Sequence, residues 1–111
     1  MKPVPLAEMS FATFAGLLHS RFRVQASETT SVEVELIEAT PHESAGEAAQ
    51  ADVRNFSLVF VGPSNQFLPQ QTYGFAHDKL GTFDLFIVPV GKDRKGFQYE
   101  AIFNRPRVPA R

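Results

Sequence analysis

Gly81 and Gly91 bracket the run Thr82-Phe83-Asp84-Leu85-Phe86-Ile87-Val88-Pro89-Val90, in which six of nine residues are large and apolar. Read as a β-strand, the run is apolar on both faces. Phe83, Leu85 and Ile87 lie on one face, and Phe86, Val88 and Val90 on the other. A half-exposed strand alternates, so this pattern predicts a central strand covered on both sides. Pro89 lacks a backbone donor and predicts a bulge, a strand end or an edge close to it.

The flanking chain supplies amphipathic partners for this strand. Arg21–Ala26 alternates, with Phe22, Val24 and Ala26 turned one way and Arg21, Arg23 and Gln25 the other. Ser31–Glu38 reads Val-Glu-Val-Glu-Leu, a half-buried strand that forms a hairpin with the preceding one. Further strands are predicted over Arg54–Val61, Gln70–His77 and Phe97–Asn104, the last with Phe97, Tyr99, Ala101 and Phe103 on one face. Ser10 is a good N-cap, and Phe11, Phe14, Ala15 and Leu18 follow at helical spacing. A helix this short is unstable alone and must dock on the sheet. The acidic, Pro- and Gly-containing stretch Ala39–Asp52 has no apolar periodicity and reads as a long loop. The resulting fold class is mainly β: a small, six-stranded, mostly antiparallel meander or barrel, with the short N-terminal helix plugging one end. In domain terms, residues 1–9 form an extended lead-in, 10–104 a single β-rich domain and 105–111 a Pro/Arg tail.

At 111 residues with 43% apolar content the chain is sized for one globular core. Eleven Phe and no Trp make core-filling rings without polar handles. The absence of Cys excludes a disulfide framework and thiolate metal sites. The first twenty residues make a poor signal peptide, and no segment reaches the roughly 18 apolar residues of a membrane span. The chain is therefore read as soluble and cytoplasmic. Charge is segregated along it. Seven acids and no Lys or Arg lie between Val24 and Val53, whereas six bases lie from Gly91 to the end. A head-to-tail contact between copies, through acidic 28–52 and basic 92–111, would use that division. Charges merely segregated on a solvated surface would explain it equally.

Catalytic chemistry finds little footing. His19, His42 and His77 are far apart in sequence and lack metal-ligand spacing. There is no nucleophile elbow, P-loop or dinucleotide fingerprint. His77 and Asp78 are strand neighbours that point to opposite faces, and His77 reads as a strand-end residue beside a turn. Glu33 and Glu35 share a strand face with a spacing open to a carboxylate pair, but they read as the solvent side of their strand. Asp84 is an acid within the most apolar strand. Buried, it would need a partner; near the strand start beside Thr82, it would lie on a partly open face. The overall pI near 6.3 argues against nucleic-acid binding by the basic C-terminal quarter. No catalytic residue, cofactor or metal is expected.

Four ordered blocks carry a family likeness: Phe56-Ser57-Leu58-Val59-Phe60 with Gly62-Pro63, Leu68-Pro69-Gln70 with Thr72-Tyr73, Leu80-Gly81 leading into Phe86-Ile87-Val88-Pro89-Val90-Gly91, and Tyr99-Glu100-Ala101-Ile102-Phe103-Asn104. In these the chain resembles a family of short, uncharacterised bacterial β-rich proteins, a domain of unknown function. The resemblance implies no catalytic residue, and it implies a loose association with gene clusters for phage-tail-collar-like proteins. The expected function is a non-enzymatic structural or protein-interaction module, which the resemblance implies is an accessory to a phage-tail-like assembly. The alternative is a small barrel that binds an apolar ligand among its Phe side chains. The expected partner is another protein or a second copy, with neither nucleic acid nor membrane. Candidate partner-binding residues are Phe67, Leu68, Gln70 and Tyr73. Exposed, the Gln66–Gln70 segment would be an anchor; tucked under the barrel end, it would be a lid, which is the favoured reading.

Overall fold

The structure, a computed structural model, describes residues 10–42 and 55–104. The lead-in 1–9, most of the predicted acidic loop and the tail 105–111 lie outside the described residues. The elements are α1 (Phe11–Ala15), β1 (Arg21–Gln25), β2 (Ser31–Pro41), β3 (Asn55–Gly62), β4 (Gln71–His77), β5 (Gly81–Lys92) and β6 (Phe97–Asn104). The strands close into a barrel in the order β1-β2-β3-β6-β5-β4, every neighbouring pair antiparallel.

The expected mainly β, antiparallel barrel is thus present, but it is not a continuous meander. Two three-stranded meanders, β1-β2-β3 and β4-β5-β6, are joined by a crossover from β3 to β4. The connection carries Pro63 and Pro69, which suit a tight hairpin poorly. Instead β3 pairs with β6 over eight positions, from Asn55↔Asn104 to Gly62↔Phe97. Closure then comes from β1 and β4, through Arg23↔Ala76, Val24↔Phe75 and Gln25↔Gly74.

Alternation in each strand fills the interior. Phe22 and Val24 from β1, Phe56, Leu58 and Phe60 from β3, Phe75 from β4 and Tyr99 and Ala101 from β6 are all buried. At mid-barrel the Phe22 and Phe60 rings meet edge-on at 5.4 Å, and Phe75 stacks on Phe83 at 5.8 Å. Such arrangements add about 0.5–1.5 kcal/mol per pair beyond area burial.

The N-terminal helix plugs one end as expected. Phe14 is fully buried, 5.5 Å from the Phe103 ring, while Phe56 and Phe103 stack at 4.4 Å. The helix is shorter than the apolar spacing predicts and stops at Gly16 rather than running to Leu18. The chain must turn there to reach β1. His19, at φ 71°, donates its backbone N–H to Leu36, and Leu36 donates back to Ser20. These bonds fix the turn against β2 at the expense of another helical turn.

The central-strand expectation needs one correction. Phe83, Leu85 and Ile87 face the core, but Phe86 is 49% and Val90 52% exposed. A closed ring has a single interior, and α1 covers its end rather than its side, so among the described residues no layer covers the outer face of β5. Pro89 does mark a bulge. The register slips between Pro89 and Gly91, leaving Val90 as the extra residue. A second slip between Leu36 and Glu38 bends β2 around the barrel and extends it to Pro41, further than the sequence indicates.

The β5–β6 hairpin turn depends on Gly96. Its φ is 145°, and a Cβ there would stand 1.8 Å from the Gly62 carbonyl oxygen. Both the backbone conformation and the packing therefore require glycine. Gly96→Ala is expected to cost about 3 kcal/mol or more, lowering the thermal midpoint by roughly 12 °C or more. A calorimetric midpoint within about 2 °C of the wild type would contradict this reading of the turn.

Candidate functional site

The crossover residues singled out in the sequence gather at the barrel end opposite α1, but they divide in role. Leu68 and Tyr73 are buried, whereas Phe67 is half exposed and Gln70 is exposed. Leu68 donates its backbone N–H to the Tyr99 hydroxyl at 2.9 Å, and Tyr73 donates its hydroxyl to the Pro69 carbonyl at 2.6 Å. These phenols reach from β4 and β6 and hold the crossover over the barrel mouth. Burial raises the pKa of both, so each is a neutral hydrogen-bonding phenol at ordinary pH. Phe67 lies on this lid with its ring 5.1 Å from Phe97. The segment is therefore a lid by geometry, with one aromatic ring left partly available outside.

A larger apolar surface lies on the barrel wall. Phe86, Val88 and the bulged Val90 project from β5, and Ile102 projects from β6 with 65% exposure. The β5–β6 register ends at Val88↔Glu100, and Phe86 and Ile102 lie two residues beyond that pair on their respective strands. On the other side of Phe86 stands Thr72 of β4, and beyond Ile102 stands Ser57 of β3. The result is a stripe across adjacent strands, with Glu100 as the one acid beside its aliphatic part. The sequence did carry this signal, in the second apolar face of Gly81–Gly91. Nothing in an alternation pattern separates a face covered by the same chain from one left for a partner.

Two histidine–serine pairs that sequence spacing could not reveal also form. His77 Nε2 lies 3.0 Å from Ser20 Oγ, and His77 Nδ1 accepts the Lys79 backbone N–H at 3.0 Å. The proton must therefore sit on Nε2, which donates to Ser20, and Ser20 in turn donates to the Leu17 carbonyl at 2.6 Å. That direction of bonding ties the helix turn to β4 and leaves Ser20 without a base. His42 Nε2 lies 2.9 Å from Ser57 Oγ on the outer wall. This is nucleophile–base spacing, but Ser57 is only 6% exposed beneath His42, which leaves a substrate no approach to its hydroxyl.

Of the residues considered for acid–base chemistry, Glu33 is paired with Arg21 at 2.8 Å and Glu35 with His19 at 3.3 Å. Asp84 is exposed, which settles its placement on the open face. Part of the acidic segment is thus engaged within the chain, while Glu43, Glu47, Asp52 and the tail arginines lie outside the described residues. Among the described residues no group of three or more His, Asp or Glu is placed to hold a metal ion. No described helix is long and apolar enough to cross a membrane.

The fold and surface define a small closed antiparallel β-barrel, plugged at both ends and apolar on part of its outer wall. Residues 9–103 match the family model described as Domain of unknown function (DUF6916), and the chain belongs to that family. No curated protein and no solved structure matches the chain.

Two predictions follow from this geometry. Leu68→Ala is expected to cost about 2–5 kcal/mol because it opens a cavity under the lid, whereas Phe67→Ala costs about 1 kcal/mol or less. Chemical denaturation compares the two, and equal losses would refute the division of roles. The second concerns pH. Burial, opposed by a smaller effect of Asp78, lowers the pKa of His77 below its ordinary 6.5. The unfolded chain takes up the proton first as pH falls. The neutral ring's contribution is thus complete above 6.5 and lost as pH falls through the folded-state pKa. Thermal midpoints should decline as pH falls below 6.5 in the wild type, with the decline reduced in His77→Gln. Identical pH profiles would contradict this role.

Proposed function

We propose that the protein is a non-enzymatic protein-interaction module that presents the outer wall of β5 and β6 to a partner protein. The observation that carries this reading is the apolar stripe of exposed Phe86, Val90 and Ile102 with half-buried Val88, on a barrel whose interior is already filled. Contiguous exposed apolar surface of this kind marks interaction sites, and an exposed Phe beside Ile is suited to act as an anchor. Phe67 on the neighbouring lid extends the same chemistry to the barrel end. The family likeness in the sequence supports an accessory role in a phage-tail-like assembly, and the lack of Cys fits a cytoplasmic setting.

The alternative, an apolar ligand held inside the barrel, draws no support from the interior. Phe22, Phe60, Phe75 and Phe83 are in ring-to-ring contact where such a ligand would sit.

The test is native co-purification from the host, followed by mass spectrometry of bound chains and small molecules. The expected result is a stoichiometric protein partner whose recovery falls at least about tenfold with Phe86→Asp/Ile102→Asp, at an unchanged thermal midpoint. Recovery of a small molecule without a protein, or a partner indifferent to both substitutions, would overturn the proposal.

A further inference from the structure

Next to this stripe, the wall centred on β4 carries a different pattern. Two outward rows cross it: Arg23–Ala76–Thr82 and Gln25–Gly74–Asp84. The middle position of each row has at most a methyl group. A cleft of about 400 Å³ therefore runs along β4, with Arg23 and Gln25 on one wall and Thr82 and Asp84 on the other. An Asp84 carboxylate oxygen stands 3.9 Å from the point a Cβ on Gly74 would occupy, so the acid overhangs the floor. Glycine inside a strand marks a place where another backbone or a ligand comes close.

The charges at this cleft are not engaged within the barrel. Glu33, the register partner of Arg23 on β2, is bonded to Arg21 instead, and neither Arg23 nor Asp84 has a hydrogen bond or ion pair to a described residue. The two occupy opposite corners of a rectangle about 9.6 Å across the strands and about 6.8 Å along them. Gln25 and Thr82 occupy the other two corners.

That arrangement is self-complementary. For two copies packed face to face, a two-fold axis lies in the plane of contact and reflects each position across itself. An axis close to the Gln25–Thr82 diagonal brings Arg23 over Asp84 of the second copy, and Asp84 over Arg23 of the second copy. Gln25 and Thr82 then lie near their own equivalents, and both side chains can donate and accept. The Gly74–Ala76 floor gives the long Arg23 side chain of each copy room to lie across the other.

We infer that this wall is a homodimer interface, with a second copy of the chain seated on the Gly74–Ala76 floor and held by two reciprocal Arg23–Asp84 ion pairs. It is independent of the stripe on β5 and β6 and uses charges other than the 28–52 and 92–111 segments.

Sedimentation equilibrium of the full chain and its charge variants tests this. The wild type should form a dimer that weakens as salt is raised. Arg23→Glu leaves only acids at the charged corners and Asp84→Arg only bases, so each should raise the dimer dissociation constant at least about tenfold. The double variant Arg23→Glu/Asp84→Arg should restore the dimer, and an equimolar mixture of the two single variants should form a heterodimer. All these residues are exposed, and circular dichroism checks that each variant is folded. A wild type that is monomeric throughout, or a dimer indifferent to the reversals, would overturn the inference. A dimer lost only in Phe86→Asp/Ile102→Asp would also overturn it and would assign self-association to the stripe instead.

Discussion

Closure of the barrel between β1 and β4 is the interaction on which the rest of the structure depends. It rests on three register pairs, Arg23↔Ala76, Val24↔Phe75 and Gln25↔Gly74. Without them both strands would present unpaired edges, which sheets of this size must cover or protect. With them, the side chains that alternate inward on six strands share one enclosed space. Phe22 shows the coupling. From β1, its ring reaches Phe60 on β3, Phe75 on β4 and Phe83 on β5. Separating β1 from β4 would break hydrogen bonds and ring contacts in the same step.

Aromatic side chains in mutual contact fill the interior of the six-stranded ring. Its ends are occupied as well, one by Phe14 and the other by Leu68 under the Tyr99 and Tyr73 phenols. Surface chemistry is thereby assigned to the outer wall. There Phe86, Val90 and Ile102 of β5 and β6 expose apolar side chains, and the outward residues around β4 are either very small or polar and charged. The two flanks share β5, whose outward residues run from Thr82 and Asp84 through Phe86 and Val88 to Val90. One strand therefore serves both a polar and an apolar face, divided along its length.

Much of this was legible in the sequence. Period-two alternation located five strands and the unbroken apolar run between Gly81 and Gly91 the sixth; Pro89 predicted a bulge, strand end or edge, of which the bulge is found, and Phe14 at helical spacing marked the plug. Strand order was less legible, because alternation tells which face a residue takes and not which strand lies beside it. The pairing of β3 with β6 depends on rings such as Phe56 and Phe103 stacking across 47 residues of sequence. The same limit concealed the His77–Ser20 bond, whose partners are 57 residues apart. The doubly apolar β5 was read as doubly buried because an apolar pattern does not by itself tell a covered face from an exposed one. Of the proposed site residues, Leu68 and Tyr73 proved to be supports of the lid, and the signal for the wider exposed stripe lay in Phe86 and Ile102.

The central claim is a closed barrel whose interior is filled by its own side chains. Nuclear Overhauser spectroscopy of the labelled protein tests it most directly, at the seam between β1 and β4. The account predicts cross-strand backbone contacts at Arg23–Ala76 and Gln25–Gly74, together with ring contacts between Phe22 and Phe75. Absence of these contacts, with rapid amide exchange along the side of β4 that faces β1, would mean an open sheet and would contradict the account.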